Sequence, residues 1–439
     1  MSEYLPPNRL LWNLPENAHA IWPSEPDISV IRSIAISVLQ PMYPYSNMRA
    51  VSVTFFGAGV SNKMYQVEHP TWPVKYLFRV SLPVDPFNKT ESEIATLVYV
   101  RRHTTIPVPN PVGWNSSSNN ALGYEWSLLE KIEGVELSSV WGKMPWEAKV
   151  KLAHDLAGIC AQLWKQRLDK IGSLVFGDRY QIVAGQRLVQ DALPDTITVG
   201  KMVTPCFFAG RRIHVPADRG PYDSSHDWVQ AVINFQQNLV VSGEKIAKRY
   251  PHVSEEELDL GRGKYDFADR RQLCVEYLRA LPYYIPPNAE SVAHPCFVLS
   301  HEDLHASNIL VDPEKLNITG IIDWEMARVL PEWAARKAPK IFDRLNTITP
   351  LSPPSPVRAG ADALAAAFAT QALRERWELY LLRRGFDARL RQLGTSLAEE
   401  PSDGLKNSFL SDVYCLSVDW SWAQESLENF MQFRPMQLS

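Results

Sequence analysis

The stretch that most narrows the possible folds runs from His301 to Glu325: His301-Glu-Asp303-Leu-His305-Ala-Ser-Asn308-Ile-Leu-Val-Asp312, then Ile321-Ile-Asp323-Trp324-Glu325. Cys296-Phe-Val-Leu-Ser300 before it is a short apolar run of the buried-strand type, so the polar residues that follow open a loop. Asn308-Ile-Leu-Val-Asp312 and Ile318-Thr-Gly-Ile-Ile-Asp323 look like a hairpin joined by Pro313–Asn317, with Asp323 at the end of its second strand. Asp303 and Asn308 stand five residues apart on the loop. A carboxylate at a loop apex can orient an attacking hydroxyl and accept its proton. An asparagine oxygen and a second carboxylate can hold magnesium against phosphate groups. That is the set phosphoryl transfer needs, since the reaction asks for positioning and charge more than for covalent work.

Other uses of these residues have to be weighed. The alternation His301-x-Asp303-x-His305 would suit zinc, but no further histidine pair lies at ligand spacing. His301 fits better as a group that bonds backbone and steadies the loop. His305 could reach a phosphate or serve packing. Asp312 ends a strand in a turn before Pro313, and Glu325 is open between a partner for Asp323 and a helix cap.

Upstream, a helix is expected around Ile28–Leu39. Val51-Ser-Val-Thr-Phe-Phe, Lys63-Met-Tyr-Gln-Val-Glu68, Val74–Val80 and Tyr124–Glu130 then read as strands of a small antiparallel sheet. Gly57-Ala-Gly59-Val-Ser61-Asn62 lies between the first two, where glycines let backbone N–H groups approach phosphates; a plain hairpin is the bland alternative. Thr90 to Arg102 is helical by spacing, with Thr90 and Glu93 as a capping box. Pro145 opens a long helix striped by Leu152, Leu156, Ile159 and Leu163. Helices are also expected near Trp228 and over 361–384 and 405–431.

Composition excludes several classes. With 439 residues, a net charge of −4 and a pI near 6.2, the chain has no basic footprint for nucleic acid. No run of 18 apolar residues exists to cross a membrane, and the N-terminus lacks the basic and apolar regions of a secretory signal. Five scattered cysteines fit reduced thiols in a cytoplasmic setting.

The loop and hairpin together resemble the aminoglycoside phosphotransferase and choline kinase-like family, in particular its long fungal-type members. The resemblance is carried by Leu299–His305, Ser307–Asp312 and Gly320–Glu325, with the Asp–x4–Asn spacing of the kinase catalytic loop and a tryptophan after the metal-site aspartate. It covers roughly residues 50–345. It implies an α+β bilobal protein-kinase-like fold, with a small antiparallel sheet lobe and a larger, mostly helical lobe carrying a substrate-binding insert. The expected divisions are an N-terminal extension (1–44), the nucleotide lobe (45–130), the catalytic lobe (131–345, insert about 169–295) and a helical C-terminal part (346–439).

The resemblance further implies an ATP- and magnesium-dependent phosphotransferase acting on a hydroxyl of a small-molecule acceptor. Asp303 would be the catalytic carboxylate, and Asn308 and Asp323 the metal ligands. Gly57, Gly59, Ser61, Asn62, Arg79, Glu93, Glu130 and Ile132 would form the nucleotide site. Arg79 stands where most kinases carry lysine, with Glu93 as its expected partner and Glu91 as the runner-up. Asp218, Asp223, Asp227 and Glu255–Glu257 would suit an amine-bearing acceptor, and Phe207, Phe208, Tyr222, Trp228 and Tyr265 a flat or cationic one, unless both sets are ordinary surface and core. A nucleotide- or metabolite-binding sensor without strong catalysis is the rival reading. A protein kinase is disfavoured by Asp323-Trp-Glu.

Overall fold

The computed structural model describes residues 10–13, 19–177, 187–188, 196–250, 266–287, 297–342, 363–416 and 420–432. Glu255–Glu257, Tyr265 and Cys296 lie outside them. Helix α1 (Ile28–Leu39) begins at Asp27, whose carboxylate accepts from Ser29 N–H at 2.7 Å, and buries Ile31, Ala35, Val38 and Leu39. Five strands follow: β1 (Ser52–Ala58), β2 (Asn62–Glu68), β3 (Tyr76–Ser81), β4 (Pro111–Asn115) and β5 (Glu125–Glu130). They pair antiparallel in the order β4-β5-β3-β2-β1, and the short strand Arg187–Leu188 extends the β4 edge. The sequence reading placed no strand at Pro111–Asn115; Pro111 starts it, where a missing N–H does least harm.

Strand alternation sorts the two faces of this sheet. Tyr76, Phe78, Val80, Trp126 and Leu128 join α1 in one buried cluster. The opposite phase of the same strands, Arg79, Ser81, Glu125 and Ser127, turns toward helix α2 (Asn88–His103). This helix starts before the expected capping box and has no side-chain cap: Phe87 is its N-cap residue. Thr90 Oγ1 instead donates to Glu125 Oε2 at 2.5 Å, because Thr90 and Glu93 face the sheet and not the helix end. Nearly every residue from Lys89 to Val100 is buried, and Ile94, Leu97 and Val98 belong to the larger core cluster.

The second lobe is mostly helical. β6 (Val135–Glu136) leads to α3 (Trp146–Trp164), whose stripe of Leu152, Leu156, Ile159 and Leu163 enters the same core as Leu382, Phe386 and Leu390 of α6 (Ala363–Gln392). Between them in sequence lie β7 (Arg167–Leu168), the antiparallel pair β8 (Ser173–Phe176) and β9 (Ile197–Gly200), and helices α4 (Ser225–Arg249) and α5 (Phe267–Tyr284). α4 and α5 pack side by side, and β8 packs against α2. The chemistry-bearing segment is a set of short strands, β10 (Phe297–Ser300), β11 (Ile309–Val311), β12 (Ile318–Ile321) and β13 (Arg328–Pro331). β10 pairs with β7 and β13; β11 pairs with β12 and β6. Two helices, α7 (Pro401–Cys415) and α8 (Trp420–Gln432), occupy the region read as one. The chain therefore has an α+β bilobal fold, an antiparallel sheet lobe over a mostly helical one. No helix among the described residues is long and apolar enough to cross a membrane.

The link between the lobes passes Gly134, whose φ is +144°. A Cβ there would lie 2.5 Å from Thr319 Oγ1 and 2.9 Å from Val311 O. Gly134→Ala should therefore destabilise the protein by on the order of 2 kcal/mol, read as a lower urea midpoint with unchanged slope. A shift below about 0.5 kcal/mol would mean that the crossing tolerates a side chain.

Candidate active site

β10 ends at Ser300, and the chain turns sharply so that Glu302 sits at φ +63°, a region costly for residues with a Cβ. The carboxylate of Glu302 is held from both sides, by Arg328 of β13 and by Ser300 Oγ at 2.6 Å. Arg328 keeps Glu302 below the usual carboxylate range, although burial alone would raise it. His301 is buried against Trp324, with ring centroids 4.6 Å apart. Its Nε2–H donates to Ile322 O at 3.0 Å, and its Nδ1 accepts from Asp303 N–H at 3.3 Å. Only the neutral ring satisfies both bonds. Neither nitrogen is left for a metal, which rules out the zinc arrangement.

Asp303 is pinned from below. Asn308 Nδ2 donates to Asp303 O at 3.0 Å and lies 3.5 Å from its Oδ2. His305 Nδ1 accepts from Ser307 N–H, and its Nε2 stands 3.4 Å from Asp303 Oδ2. Lys340 Nζ donates to Asp303 Oδ1 at 2.7 Å. With its amide nitrogen occupied in this way, Asn308 has its carbonyl oxygen left for other work.

Across the cleft, Arg79 is 6% exposed and bonds Glu93 through Nη1. Glu91, the other candidate partner, accepts instead from Trp114 Nε1 and Ser116 Oγ. Arg79 Nη2 reaches Asp323 Oδ1 at 3.2 Å and Glu325 Oε2 at 2.6 Å. Glu325 is therefore neither a helix cap nor a simple neighbour of Asp323. Its Oε2 also accepts from Asn62 Nδ2 at 2.9 Å and Lys89 Nζ at 2.7 Å. Asn62 Oδ1 in turn accepts from Ser81 Oγ and Lys89 Nζ.

Lys89 is the residue that sequence reasoning missed. At 2% exposure, one helical turn before Glu93, it shares a helix face with that carboxylate, and a lysine four residues before a glutamate was the available signal. Around this point two cations face three carboxylates, Glu93, Asp323 and Glu325. Burial pushes Glu93 up to about 7 in spite of Arg79, and burial likewise raises Asp323 against the same arginine. Glu325 is held down at about 2 by Lys89 and Arg79, against the effect of burial. Asp323, whose side chain is still 37% exposed, is the carboxylate whose ionised form a divalent cation in the cleft would favour. Among the described residues no cluster of three or more His, Cys, Asp or Glu makes a metal cage.

The remaining expected residues fall as follows. Gly57 and Gly59 have open space where a Cβ would stand, so neither is demanded by contacts within the chain. Gly59 N–H closes the turn onto Asn62 O at 2.8 Å; Ser61 and Asn62 are buried. Glu130 N–H bonds Asn110 O and is therefore engaged, while Ile132 packs its side chain over Gly320. In the insert, Phe207, Phe208, Tyr222 and Trp228 are core residues. Asp218 accepts from Gly220 N–H, Asp223 pairs with Lys170, and Asp227 engages Ser224 at the start of α4. Asp218 and Asp227 serve a turn and a cap and Asp223 an exposed ion pair, so the expected amine-binding cluster is not assembled from these three.

Two measurements test this geometry. Burial holds His301 at about 4, against about 6.5 unfolded, so the neutral ring's stabilisation is complete above pH 6.5 and lost as the pH falls toward 4. By pH 5 the loss is about 2 kcal/mol. Urea unfolding of wild type and His301→Gln at pH 7 and 5 should show that difference, and equal pH dependence of the two would refute it. Lys89→Met should cost on the order of 3 kcal/mol by leaving Glu325 short of a buried partner. A loss no larger than that of a surface substitution would mean that Glu325 does not depend on Lys89.

A family model described as the phosphotransferase enzyme family, APH, matches residues 52–202 and 242–334. Two curated proteins of Aspergillus fumigatus, the subtelomeric hrmA-associated cluster proteins of two strains, are each 25% identical over 268 residues. Those residues are 56% of this chain and 51% of each relative, so the chain spans about half the length of the curated relatives it matches. Among solved structures, a thermostable mutant of aminoglycoside phosphotransferase APH(4)-Ia, in ternary complex with ADP and hygromycin B, aligns with a TM-score of 0.43 at 13% identity. The alignment covers 92% of this chain and 99% of that one. ADP-bound aminoglycoside phosphotransferase APH(2'')-Ib aligns with a TM-score of 0.40 at 11% identity, over 92% and 97% of the two chains. The family match takes in more than half of the sequence, from β1 through β13, and on that ground the chain belongs to the phosphotransferase enzyme family.

Proposed function

We propose that the protein is an ATP- and magnesium-dependent kinase that transfers a phosphoryl group to a hydroxyl of a small molecule. The observation that carries this reading is the meeting of Asp303, Asn308 and Asp323 on one side of the cleft with Arg79 and Lys89 on the other, beneath the glycine turn. Asp303 would orient the acceptor hydroxyl and take its proton, held for that role by the Asn308 amide and the buried His301. The Asn308 carbonyl oxygen and the Asp323 carboxylate are the hard oxygen donors that would hold magnesium, which supplies charge neutralisation between phosphate oxygens. Arg79, fixed by Glu93, Asp323 and Glu325, would set a planar, delocalised positive charge beside the phosphates, where a lysine would offer a point charge. Gly57, Gly59, Ser61 and Asn62 would cover the phosphates with backbone N–H groups. The adenine would lie against the link at Glu130 to Ile132, using groups other than the Glu130 N–H, since Asn110 holds that one. Among the described residues the cysteines are free thiols, as suits a cytoplasmic enzyme.

The intact Asp303–Asn308 contact favours an enzyme over a sensor, and one set of variants separates the two. Asp303→Asn keeps the shape of the loop but removes the base. It should lower phosphotransfer by about 10²–10⁴-fold while ADP–magnesium affinity stays near that of wild type. Asp323→Ala should weaken ADP–magnesium binding itself, measured by titration calorimetry. Wild-type turnover in Asp303→Asn, on whichever acceptor a hydroxyl panel supplies, would overturn the assignment.

A further inference from the structure

Arg219 ties the two lobes together at a second place, away from Glu325. It stands between β9 and α4, and its guanidinium makes four hydrogen bonds. Nη1 and Nη2 take the two carboxylate oxygens of Asp85 as a fork, with Nη1 at 3.1 Å from Oδ1. Nε and Nη2 donate to Met202 O at 3.1 and 2.9 Å, and Met202 N–H returns a bond to Arg219 O at 2.7 Å. The guanidinium lies over the Phe207 ring, 5.8 Å from its centre. The Asp85 side chain is 1% exposed and that of Arg219 13%, so the pair is almost wholly out of water.

Each end of the pair leads to a different part of the site. Asp85 lies between β3 and α2. Its Oδ1 accepts from Asn88 Nδ2 at 2.9 Å and its backbone O from Lys89 N–H at 3.2 Å, so it shapes the first turn of a helix that has no side-chain cap. Lys89 and, one turn on, Glu93 are the groups that bond Glu325 and Arg79. Glu125 holds the same turn through Phe87 N–H and Thr90 Oγ1, but from the sheet of its own lobe. At the other end Met202 is fully buried, and its Sδ lies 4.0 Å from Nη1 of Arg328, the residue that holds Glu302 beside Asp303. A buried ion pair adds little net stability over apolar groups of the same volume; its directional bonds fix register.

We propose that Arg219 is a positioning residue for phosphoryl transfer, fixing the start of α2 in register with the catalytic loop. The inference deepens the kinase reading and rests on it for what the register serves; the hold on α2 is geometric. In-line transfer needs the phosphates and Asp303 aligned, and a misplacement of about 1 Å costs about 10²-fold. Arg219 acts on the phosphate side of that alignment, through Lys89 and the Glu93–Arg79 pair, and touches no reacting atom itself.

The test uses the full chain. Arg219→Met alone would leave Asp85 buried and unpaired, so the principal variant is Arg219→Met with Asp85→Asn, which removes both charges together. Amide hydrogen exchange over residues 89–96 reports the hold on α2, and calorimetry with pyrophosphate–magnesium and with adenosine separates the phosphate side from the base side. In the folded double variant, exchange over 89–96 should accelerate at least about tenfold while that of α3 is unchanged. Pyrophosphate–magnesium affinity should fall at least about tenfold, the loss of one charge-assisted bond, and adenosine affinity should stay within about twofold. Arg219→Lys, which keeps a charge opposite Asp85, should lie between wild type and the double variant, and it carries the same readouts if the double variant does not fold. A pair that serves stability alone would lower the urea midpoint and move none of these quantities. Unchanged exchange over 89–96, unchanged pyrophosphate affinity, or equal losses for pyrophosphate and adenosine would overturn the proposal. Wild type that binds neither ADP–magnesium nor pyrophosphate–magnesium would sink the kinase reading and this inference together, whereas ADP–magnesium binding without the expected losses would sink this inference alone.

Discussion

One carboxylate oxygen, Glu325 Oε2, receives hydrogen bonds from Asn62, Arg79 and Lys89 at 2.6–2.9 Å, and most of the site's geometry hangs on that convergence. The donors come from the end of the glycine turn, the middle of the sheet and the first turn of α2; the acceptor comes from the other lobe. Removing charges from water costs several kcal/mol per ion, so such a network is stable only when each member is fully matched. The sheet roof and the catalytic floor are thereby registered against each other, and Asp323, two residues from Glu325, comes to face Arg79.

The matching is deliberately incomplete at one place. Glu325 is strongly held in its ionised form, whereas Glu93 and Asp323 are pushed toward protonation by burial. Asp323 is the member whose side chain remains open to the cleft. The catalytic loop is built on the opposite principle. His301 is kept neutral, Glu302 is neutralised by Arg328, and the loop is steadied without adding charge beside Asp303. Lys340, whose Nζ lies 2.7 Å from Asp303 Oδ1, is the exception.

Helix α2 is immobilised more thoroughly than its sequence suggests. It is buried on nearly all sides, between the sheet and β8, and Trp114 of β4 stacks on Phe176 at 5.8 Å alongside it. The Arg79–Glu93 pair is consequently part of the packed core. The site is preorganised by burial, the condition under which electrostatic positioning is most effective.

Much of the candidate site was legible because it is local. Asp303, Asn308 and Asp323 lie within one loop and one hairpin, where spacing and turn chemistry dictate geometry, and α3 was legible from its apolar stripe and the proline before it. Alternation along β3 puts Arg79 on the face opposite Phe78. The sequence also suggested a capping box at Thr90, but burial of that helix face against Glu125 overrode local capping. The triple role of Glu325 and the contact of Lys340 with Asp303 could not be read in advance. Asn62 and Glu325 are 263 residues apart, and no periodicity or motif relates residues across that distance. What the sequence by itself determined is the chemistry available and the local frame that carries it. Which buried charges meet, and therefore how the two walls of the cleft are matched, was decided only when the two lobes closed on one another.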